Sequence, residues 1–333
     1  MASVLVLGGT AWFGRVLAER AMAAGHAVTC LARGRAGAAP GGARFVAADR
    51  SEPESYRDVS GESWDLVVDI SWQPGLVRSA LAALADRAGA WALISSCSVY
   101  ARSDEPGIDE SAALLDPVAA DEADVQDYGG AKVACEQVTA ERTGGRAVLL
   151  RAGLIGGDGD RSGRTGYWPG RCALAGGGSV LVPGPADNPV QIVDVRDLAD
   201  FTLHAGLGGR SGPVNVVGEQ VTLDGALQLS SEVAVDAGYP EADFVVRPDE
   251  WLSSRGVQPW AGPRSLPLWL PGADHAGFAA RSDRLALDWG LARRPLVETL
   301  RGALDYEVRQ GLDRDRRAGL TRAEELELLA DAL

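Results

Sequence analysis

Three side chains could take part in a single proton-transfer reaction: Ser96, Tyr128 and Lys132. Tyr128 and Lys132 are four residues apart, so on a helix they lie on one face and can reach the same bound ligand. A tyrosine with its usual pKa of about 10 is a poor base at pH 7, and a neighbouring ammonium lowers that pKa. Ser96 ends an apolar strand candidate and could hold a substrate oxygen. The spacing also occurs by chance on helices, but the three residues together predict proton exchange with a carbonyl or alcohol.

A glycine-rich turn near the start of the chain predicts a dinucleotide site. Residues 4–14 read Val-Leu-Val-Leu-Gly-Gly-Thr-Ala-Trp-Phe-Gly, and they join a buried strand to a helix. Small residues let the backbone approach a pyrophosphate, and free N–H groups at the helix start bind its charge. Such a turn also occurs for packing reasons alone. A following strand and the distant Tyr-x-x-x-Lys sequence favour the functional interpretation.

Composition excludes several classes of protein. The chain has 333 residues, of which 46% are hydrophobic and 23% charged, and this is typical of a globular protein. A net charge of -14 argues against a sequence-independent nucleic-acid binder, which needs a basic surface. The four cysteines lie far apart and the three histidines are isolated, so we expect reduced thiols and no metal site.

No apolar stretch approaches the roughly 20 residues of a membrane span, and the apolar start lacks a basic flank. We therefore expect no membrane association and a cytoplasmic location.

Apolar runs alternate with helical patterns up to about residue 155. The strand candidates are 3–7, 27–31, 44–47, 66–70, 90–95 and 146–152, and the helix candidates are 14–24, 75–87 and 131–142. Short apolar runs of this kind are typical of strands buried on both faces. The pattern predicts an α/β fold with a doubly wound parallel sheet of the Rossmann type.

The later sequence is richer in glycine and proline and predicts a smaller C-terminal domain. We assign residues 1–155 to the dinucleotide-binding domain, with segments at about 189–218 returning to it, and residues 156–188 and 219–333 to a substrate domain. Two late strand candidates, 191–195 and 214–217, are expected to return to the main sheet. Aromatic side chains that could line the substrate pocket are Trp72, Tyr167 and Trp168, although large aromatics more often fill cores.

The chain resembles the extended short-chain dehydrogenase/reductase superfamily, in its NAD-dependent epimerase/dehydratase-like branch. The matching segments follow the order of the family over about residues 3–220: 7–14 (Leu-Gly-Gly-Thr-Ala-Trp-Phe-Gly), 48–50 (Ala-Asp-Arg), 94–100 (Ile-Ser-Ser-Cys-Ser-Val-Tyr), 128–132 (Tyr-Gly-Gly-Ala-Lys), 151–156 (Arg-Ala-Gly-Leu-Ile-Gly) and 191–199 (Gln-Ile-Val-Asp-Val-Arg-Asp-Leu-Ala). The resemblance implies a nicotinamide cofactor and a Ser-Tyr-Lys catalytic triad. It also implies a homodimer built from the helices at about 75–87 and 128–142.

The cofactor site departs from the family pattern in two places. In the family's G-x-x-G-x-x-G loop the outer glycines match Gly8 and Gly14, but Ala11 takes the middle position. At the end of the second strand, where NAD-specific enzymes place an acid, this chain has Arg33 and Arg35, which favour the 2′-phosphate of NADP over NAD. The predicted cofactor-binding residues are Gly8, Thr10, Ala11, Trp12, Phe13, Gly14, Arg33, Arg35, Asp49, Arg50, Ile70, Ser71, Ser95 and Leu154.

Three functions fit these residues. The first is an NADP-dependent oxidoreductase acting on a small-molecule carbonyl or alcohol, and the second is a sugar epimerase with a tightly held nicotinamide. A non-catalytic nucleotide sensor or RNA-associated relative is the third, and the intact triad and acidic charge argue against it. Cys97 and Ser98 replace the acidic pair of sugar dehydratases, which argues against dehydration. The later sequence has no Arg-rich diphosphate-binding segment, although Arg161, Arg164 and Arg171 could serve that role.

Overall fold

A seven-stranded parallel sheet forms the centre of the structure, a computed structural model that describes residues 1–331. The strands of the chain are β1 (Ser3–Leu7), β2 (Ala27–Ala32), β3 (Arg44–Ala47), β4 (Trp64–Asp69), β5 (Ala88–Ser96), β6 (Ala147–Ala152), β7 (Leu154–Gly156), β8 (Ser179–Gly184), β9 (Pro189–Asp194), β10 (Gly212–Val216), β11 (Gln220–Thr222), β12 (Asp243–Pro248), β13 (Gln258–Trp260), β14 (Gly262–Pro263), β15 (Ser265–Pro267) and β16 (Ala318–Gly319). The central sheet has the order β10-β6-β5-β4-β1-β2-β3. From β1 the chain first adds β2 and β3 on one side and then adds β4, β5 and β6 on the other, so the strand order reverses between β1 and β4. Ligands of open α/β sheets bind beyond the carboxyl ends of the strands at such a point.

The helices are α1 (Trp12–Ala23), α2 (Arg57–Ser60), α3 (Pro74–Leu84), α4 (Tyr128–Thr143), α5 (Tyr167–Ala175), α6 (Val195–Leu207), α7 (Leu223–Asp236), α8 (Asp249–Ser254), α9 (Arg284–Asp288), α10 (Leu296–Gln310) and α11 (Arg322–Ala330). Helices α1 and α6 pack on one face of the central sheet, and α3 and α4 pack on the other. The prediction of a doubly wound parallel sheet is therefore confirmed. None of the helices formed by residues 1–331 has the length and apolar composition needed to cross a bilayer.

Local sequence explains where the helices beside the site begin and end. Pro74 occupies the first turn of α3, where its fixed φ suits a helix and its missing N–H is not needed. Gly144 ends α4 in a left-handed conformation with φ of 59°, which costs glycine little. Asp194 caps α6 by accepting a hydrogen bond from the backbone N–H of Arg196 at 2.8 Å.

Only one of the two late strands returns to the central sheet. Strand β10 pairs with β6 as predicted, but β9 pairs with β7 and β11 in a separate three-stranded sheet. The prediction for residues 191–195 was therefore wrong about the partner strand. The chain leaves the central sheet at Gly153, where a Cβ atom would come within 2.9 Å of Val217. Residues 154–156 thus offer β9 a second, smaller edge for pairing.

A second hydrophobic core lies outside the central sheet and contains mainly residues between 154 and 192 and after 220. Its largest buried side chains include Tyr167, Trp168 and Trp269, each 0% exposed. The later chain is not confined to this core, because Ala286 and Leu291 pack into the core beside α1 and α6. The predicted assignment of all residues from 219 to 333 to one substrate domain remains a proposal, and these two residues depart from it.

Candidate active site

A cleft of about 1240 Å³ opens at the carboxyl edge of the central sheet, beside the ends of β1, β2 and β4. Segments after β3 and before α4 complete its walls. Several of the predicted cofactor residues line it: Gly8, Thr10, Ala11, Arg33, Arg35, Asp49, Arg50, Ile70 and Ser71. Sequence reasoning missed the opposite wall, which includes Gln73, Gly75 and residues 120–124, because a loop that returns over a strand edge carries no periodic signal.

The glycine turn has the shape that a pyrophosphate needs. Gly8 has φ of 103°, and a Cβ atom on Gly14 would lie 2.4 Å from the carbonyl oxygen of Gly8. The positive φ and the Ile70 side chain therefore exclude a Cβ atom at Gly8, and the close approach of the backbone excludes one at Gly14. Ala11 sits outside this contact with φ of -72° directly before α1, so its methyl group is accommodated. The free N–H groups at the start of α1 face a cradle that fits a dinucleotide.

The side chains of Trp12 and Phe13 serve the fold, so only their backbone N–H groups are offered to a ligand. Trp12 donates its indole N–H to the carbonyl oxygen of Asp158 at 2.7 Å, which ties the glycine turn to the loop after β7. Phe13 is 7% exposed and packs in the core under α1.

Arg33 and Asp49 face each other at the outer end of the cleft. The closest guanidinium nitrogen of Arg33 lies 3.8 Å from the Asp49 carboxylate, and the Arg33 side chain is 55% exposed. Asp49 accepts hydrogen bonds from the hydroxyl and N–H groups of Ser51, and these lower the pKa of its carboxyl. An ionised carboxylate and an exposed guanidinium therefore flank this end of the cleft.

Arg50 also lines the cleft, but its guanidinium belongs to the wall. It makes two hydrogen bonds to Asp69, at 2.8 and 2.7 Å, and further bonds to the Tyr56 hydroxyl and the Leu76 carbonyl oxygen. Asp69 is completely buried and also accepts the N–H of Ser71 at 2.9 Å. With its donors engaged in this way, Arg50 holds β4 and α3 together and is a poor ligand for a cofactor phosphate.

Ser96 ends β5, and Tyr128 begins α4. The Ser96 hydroxyl accepts the N–H of Ser98 and donates to the Ser98 hydroxyl, each at 3.1 Å. Burial raises the pKa of Tyr128, while the Ser96 hydroxyl and the charge of Arg164 act in the opposite direction. Tyr128 is therefore a neutral proton donor at pH 7. The ring of Trp72 lies 5.5 Å from the ring of Tyr128, so this predicted substrate residue is next to the triad.

Lys132, the third residue of the predicted triad, is 3% exposed. Its ammonium donates hydrogen bonds to the carbonyl oxygens of Ser71, at 2.9 Å, and Ile94, at 2.5 Å. Burial lowers the pKa of Lys132 to about 8. The Lys132 Nζ is 6.0 Å from the centre of the Tyr128 ring. Ser71 lines the cleft and accepts a hydrogen bond from Lys132, so this lysine connects the wall of the cleft to the neighbourhood of Tyr128.

Four other predicted site residues are in the interior, and for these the structure corrects the prediction. The hydroxyl of Ser95 donates to a Glu136 carboxylate oxygen at 2.5 Å, and the side chain of Leu154 is 8% exposed in the second core. Tyr167 and Trp168 are 0% exposed, and the Trp168 indole donates to the Pro267 carbonyl oxygen at 2.7 Å. They start α5, whose buried face packs on the second core, so neither side chain reaches a ligand.

Cys97 lies directly after Ser96 but is not poised for chemistry. Its thiol is 3.2 Å from the carbonyl oxygen of Arg151, and burial raises its pKa to about 12. The thiol is therefore protonated at pH 7. Elsewhere, the part of the chain from 1 to 331 contains no cluster of three or more side chains able to hold a metal ion.

The comparisons with known proteins agree with this architecture. The model of the "NAD dependent epimerase/dehydratase family" matches residues 4–218. The UDP-Glc/GlcNAc 4-epimerase of Campylobacter jejuni superimposes with a TM-score of 0.69 at 14% identity, covering 93% of this chain and 100% of that one. Two Bacillus cereus structures are also similar. They are UDP-N-acetylglucosamine 4-epimerase (TM-score 0.66, 15% identity, 96% and 100% covered) and UDP-glucuronic acid 4-epimerase in complex with NAD (0.64, 14%, 92% and 99%).

At these identities the structural matches support the fold alone. The search of curated proteins finds no significant match. The family model, by contrast, extends from the first strand of the central sheet to its last, over well more than half of the chain. On that basis, the chain belongs to the NAD dependent epimerase/dehydratase family.

Proposed function

We propose that the protein is an NADP-dependent oxidoreductase that interconverts a small-molecule carbonyl and the corresponding alcohol. The observation that supports this proposal is that Lys132, 6.0 Å from the centre of the Tyr128 ring, donates a hydrogen bond to the carbonyl oxygen of Ser71, which lines the same cleft as the glycine turn. When bound, the dinucleotide would supply or accept a hydride at the substrate carbon.

The side chains of the triad perform the proton chemistry in this proposal. The Ser96 hydroxyl positions the carbonyl oxygen, and Tyr128 donates its proton to that oxygen as the carbon is reduced. Lys132 offers the resulting tyrosinate a positive charge, because its ammonium is buried, is fixed by two carbonyl oxygens and lies 6.0 Å from the centre of the Tyr128 ring. Solvent then returns a proton to Tyr128. In the oxidation direction the same groups act in reverse.

An epimerase is the second candidate, and the family match favours it. In that reaction the hydride would leave a sugar carbon and return to its other face. One experiment separates the candidates: purified protein is incubated with NADPH or NADH and a panel of aldehydes and ketones, and the absorbance of the reduced nicotinamide is followed. Stoichiometric consumption supports the oxidoreductase. A nicotinamide that co-purifies and is never consumed supports the epimerase.

The preference for NADP rests on Arg33 and Arg35, which line the outer end of the cleft where no acid follows β2. We expect Arg33→Ala to weaken NADPH binding about tenfold or more and to change NADH binding little, because only NADPH carries the 2′-phosphate. Calorimetric titration of both variants with both cofactors measures this, with the exposed, paired Arg57→Ala as control. An equal loss for NADH would refute the phosphate assignment. The family is named for NAD, so the ratio of NADPH to NADH affinity of the wild-type protein itself tests the preference for NADP.

The lowered pKa of Lys132 predicts a pH dependence. The ammonium is present below its pKa of about 8 and is lost as the pH rises through that value. For carbonyl reduction we expect kcat/KM to fall on the alkaline side with an apparent pKa near 8, since this parameter reports groups of the free enzyme. In Lys132→Arg, which keeps its charge, the alkaline limb should move to higher pH although overall activity is lower. A limb that stays near 8 in this variant would belong to another group.

We also propose that the substrate is a small molecule, that the protein is cytoplasmic, and that it forms a homodimer through α3 and α4.

A further inference from the structure

Arg164 is a cation to which the mechanism above gives no role. Its charge acts on the Tyr128 hydroxyl, and its guanidinium carbon lies 5.2 Å from the centre of the Trp260 ring. Its Nε donates to the Ser162 hydroxyl at 3.3 Å. Within residues 1–331, neither terminal nitrogen of Arg164 has a hydrogen-bond or ion-pair partner. The two terminal nitrogens are therefore free as donors, and together they can bind both oxygens of a carboxylate.

Hydrogen bonds to a buried carboxylate hold the loop that carries Arg164. Asp160 is 3% exposed and accepts hydrogen bonds from the N–H and hydroxyl groups of Ser162 and Thr165, at 2.7 to 3.4 Å. Trp12 fixes the start of the same loop through its bond to the Asp158 carbonyl oxygen. Ser162, held in this way, also accepts the Arg164 backbone N–H at 3.2 Å. Arg164 is thus positioned before any ligand arrives, which lowers the entropic cost of binding one.

Other arginines of the same segment do not share this position. Arg171 is 3% exposed and is held inside the second core by Glu325, at 3.2 Å, and by the Leu320 carbonyl oxygen. Arg161 is exposed on the surface. A single guanidinium with the Asp160 carboxylate nearby suits an anion of one charge better than a diphosphate. An aromatic side chain lies beside the Arg164 guanidinium: Trp260, which packs edge-on against Phe278.

We propose that Arg164 binds a carboxylate group of the substrate, so that the preferred substrates are oxo acids and their hydroxy-acid products. This inference rests on the proposed hydride-transfer function and deepens it. The guanidinium fork would hold the carboxylate while the Ser96 and Tyr128 hydroxyls hold the carbonyl oxygen. Fixing both ends of a small molecule orients the reacting carbon, which is the main contribution of substrate-positioning arginines to the rate.

The test compares acids with their amides, which have nearly the same shape but no charge. Pyruvate, acetoacetate and levulinate, and the three corresponding amides, are supplied to wild type, Arg164→Gln, Arg164→Lys and the surface control Arg161→Gln. We expect Arg164→Gln to lower kcat/KM about 100-fold for the best acid and less than threefold for its amide. Arg164→Lys should fall between, because an ammonium is a point charge without the planar fork. Equal losses for acids and amides would overturn the proposal.

A binding measurement separates this inference from the proposed function. Calorimetric titration of the NADPH-loaded protein with the same acids requires no turnover. Acid binding that is lost in Arg164→Gln and kept in Arg161→Gln supports the carboxylate site even if no nicotinamide is consumed, and that result would count against the oxidoreductase alone. Turnover or binding without any preference for acids would overturn the inference. Dihydroxyacetone phosphate serves as the phosphate arm, and a preference for it over every carboxylate would also overturn it.

Discussion

Replacing Tyr128 by Phe is expected to lower kcat for carbonyl reduction by at least about two orders of magnitude, as is typical for loss of a proton-transfer group. The ring of Tyr128 packs 5.5 Å from that of Trp72, and Phe preserves this packing. The hydroxyl is the only atom group removed. We therefore expect NADPH affinity and the unfolding midpoint to change little. Stopped-flow or steady-state measurement of nicotinamide absorbance gives kcat, and calorimetry gives the affinity.

Tyr306→Phe is a suitable control for this variant. Tyr306 lies on α10, outside the triad, and its substitution likewise removes one phenolic hydroxyl. It should retain wild-type turnover. If Tyr128→Phe turns over at the wild-type rate, the proton comes from another group and the proposed mechanism is wrong. If both turnover and NADPH affinity fall together, Tyr128 acts through the cofactor site and not as the acid.

Replacing Asp69 by Asn is expected to destabilise the protein by about 3–5 kcal/mol, the typical cost of removing one partner of a buried ion pair. The Asp69 side chain is 0% exposed and that of Arg50 is 9% exposed, so water cannot compensate. The change leaves the Arg50 guanidinium facing an uncharged amide across two former hydrogen bonds. Denaturant unfolding, followed by circular dichroism, measures the loss.

The exposed pair formed by Arg57 and Glu54 is the matched comparison, because its side chains are 72% and 71% exposed. Glu54→Gln should change the free energy of unfolding by less than about 1 kcal/mol. In the double variant Arg50→Met with Asp69→Leu, no charge is left buried. Its loss of unfolding free energy should therefore be smaller than the sum of the losses measured for Arg50→Met and Asp69→Leu separately. Additive losses would show that the two charges do not depend on each other.

Much of the architecture could be predicted because it depends on local patterns. The glycine turn, the short apolar strands and the Tyr-x-x-x-Lys spacing each belong to one continuous segment, and the predicted strands at 3–7 and 44–47 match β1 and β3 residue for residue. The partner of β9 could not be predicted, since any apolar strand can pair with several edges. In the structure β9 pairs with β7 and β11 instead of with the central sheet.

The fate of individual side chains was less predictable. Sequence places Tyr167 and Trp168 near the cleft, but the direction in which α5 faces its neighbours puts both in the second core. Arg50 has the charge to hold a phosphate, yet its guanidinium is engaged by Asp69. This partner is 19 residues away in the chain, and only the position of β4 beside the cleft brings the two side chains together. Arg164 is the opposite case, a side chain that belongs to no sequence motif. Its proposed role follows only from the loop that positions it.

The amino-acid sequence by itself predicted the family and the doubly wound sheet, both of which are confirmed, because these follow from short-range spacing and hydrophobic periodicity. It also singled out Ser96, Tyr128 and Lys132 as the proposed triad. The tertiary structure alone decided which of the charged groups remain free. Arg50 is engaged by Asp69 and Arg171 by Glu325, whereas the terminal nitrogens of Arg164 have no partner among the residues described. Pairing of charges is decided by contacts between segments far apart in the chain, and no local pattern encodes those contacts.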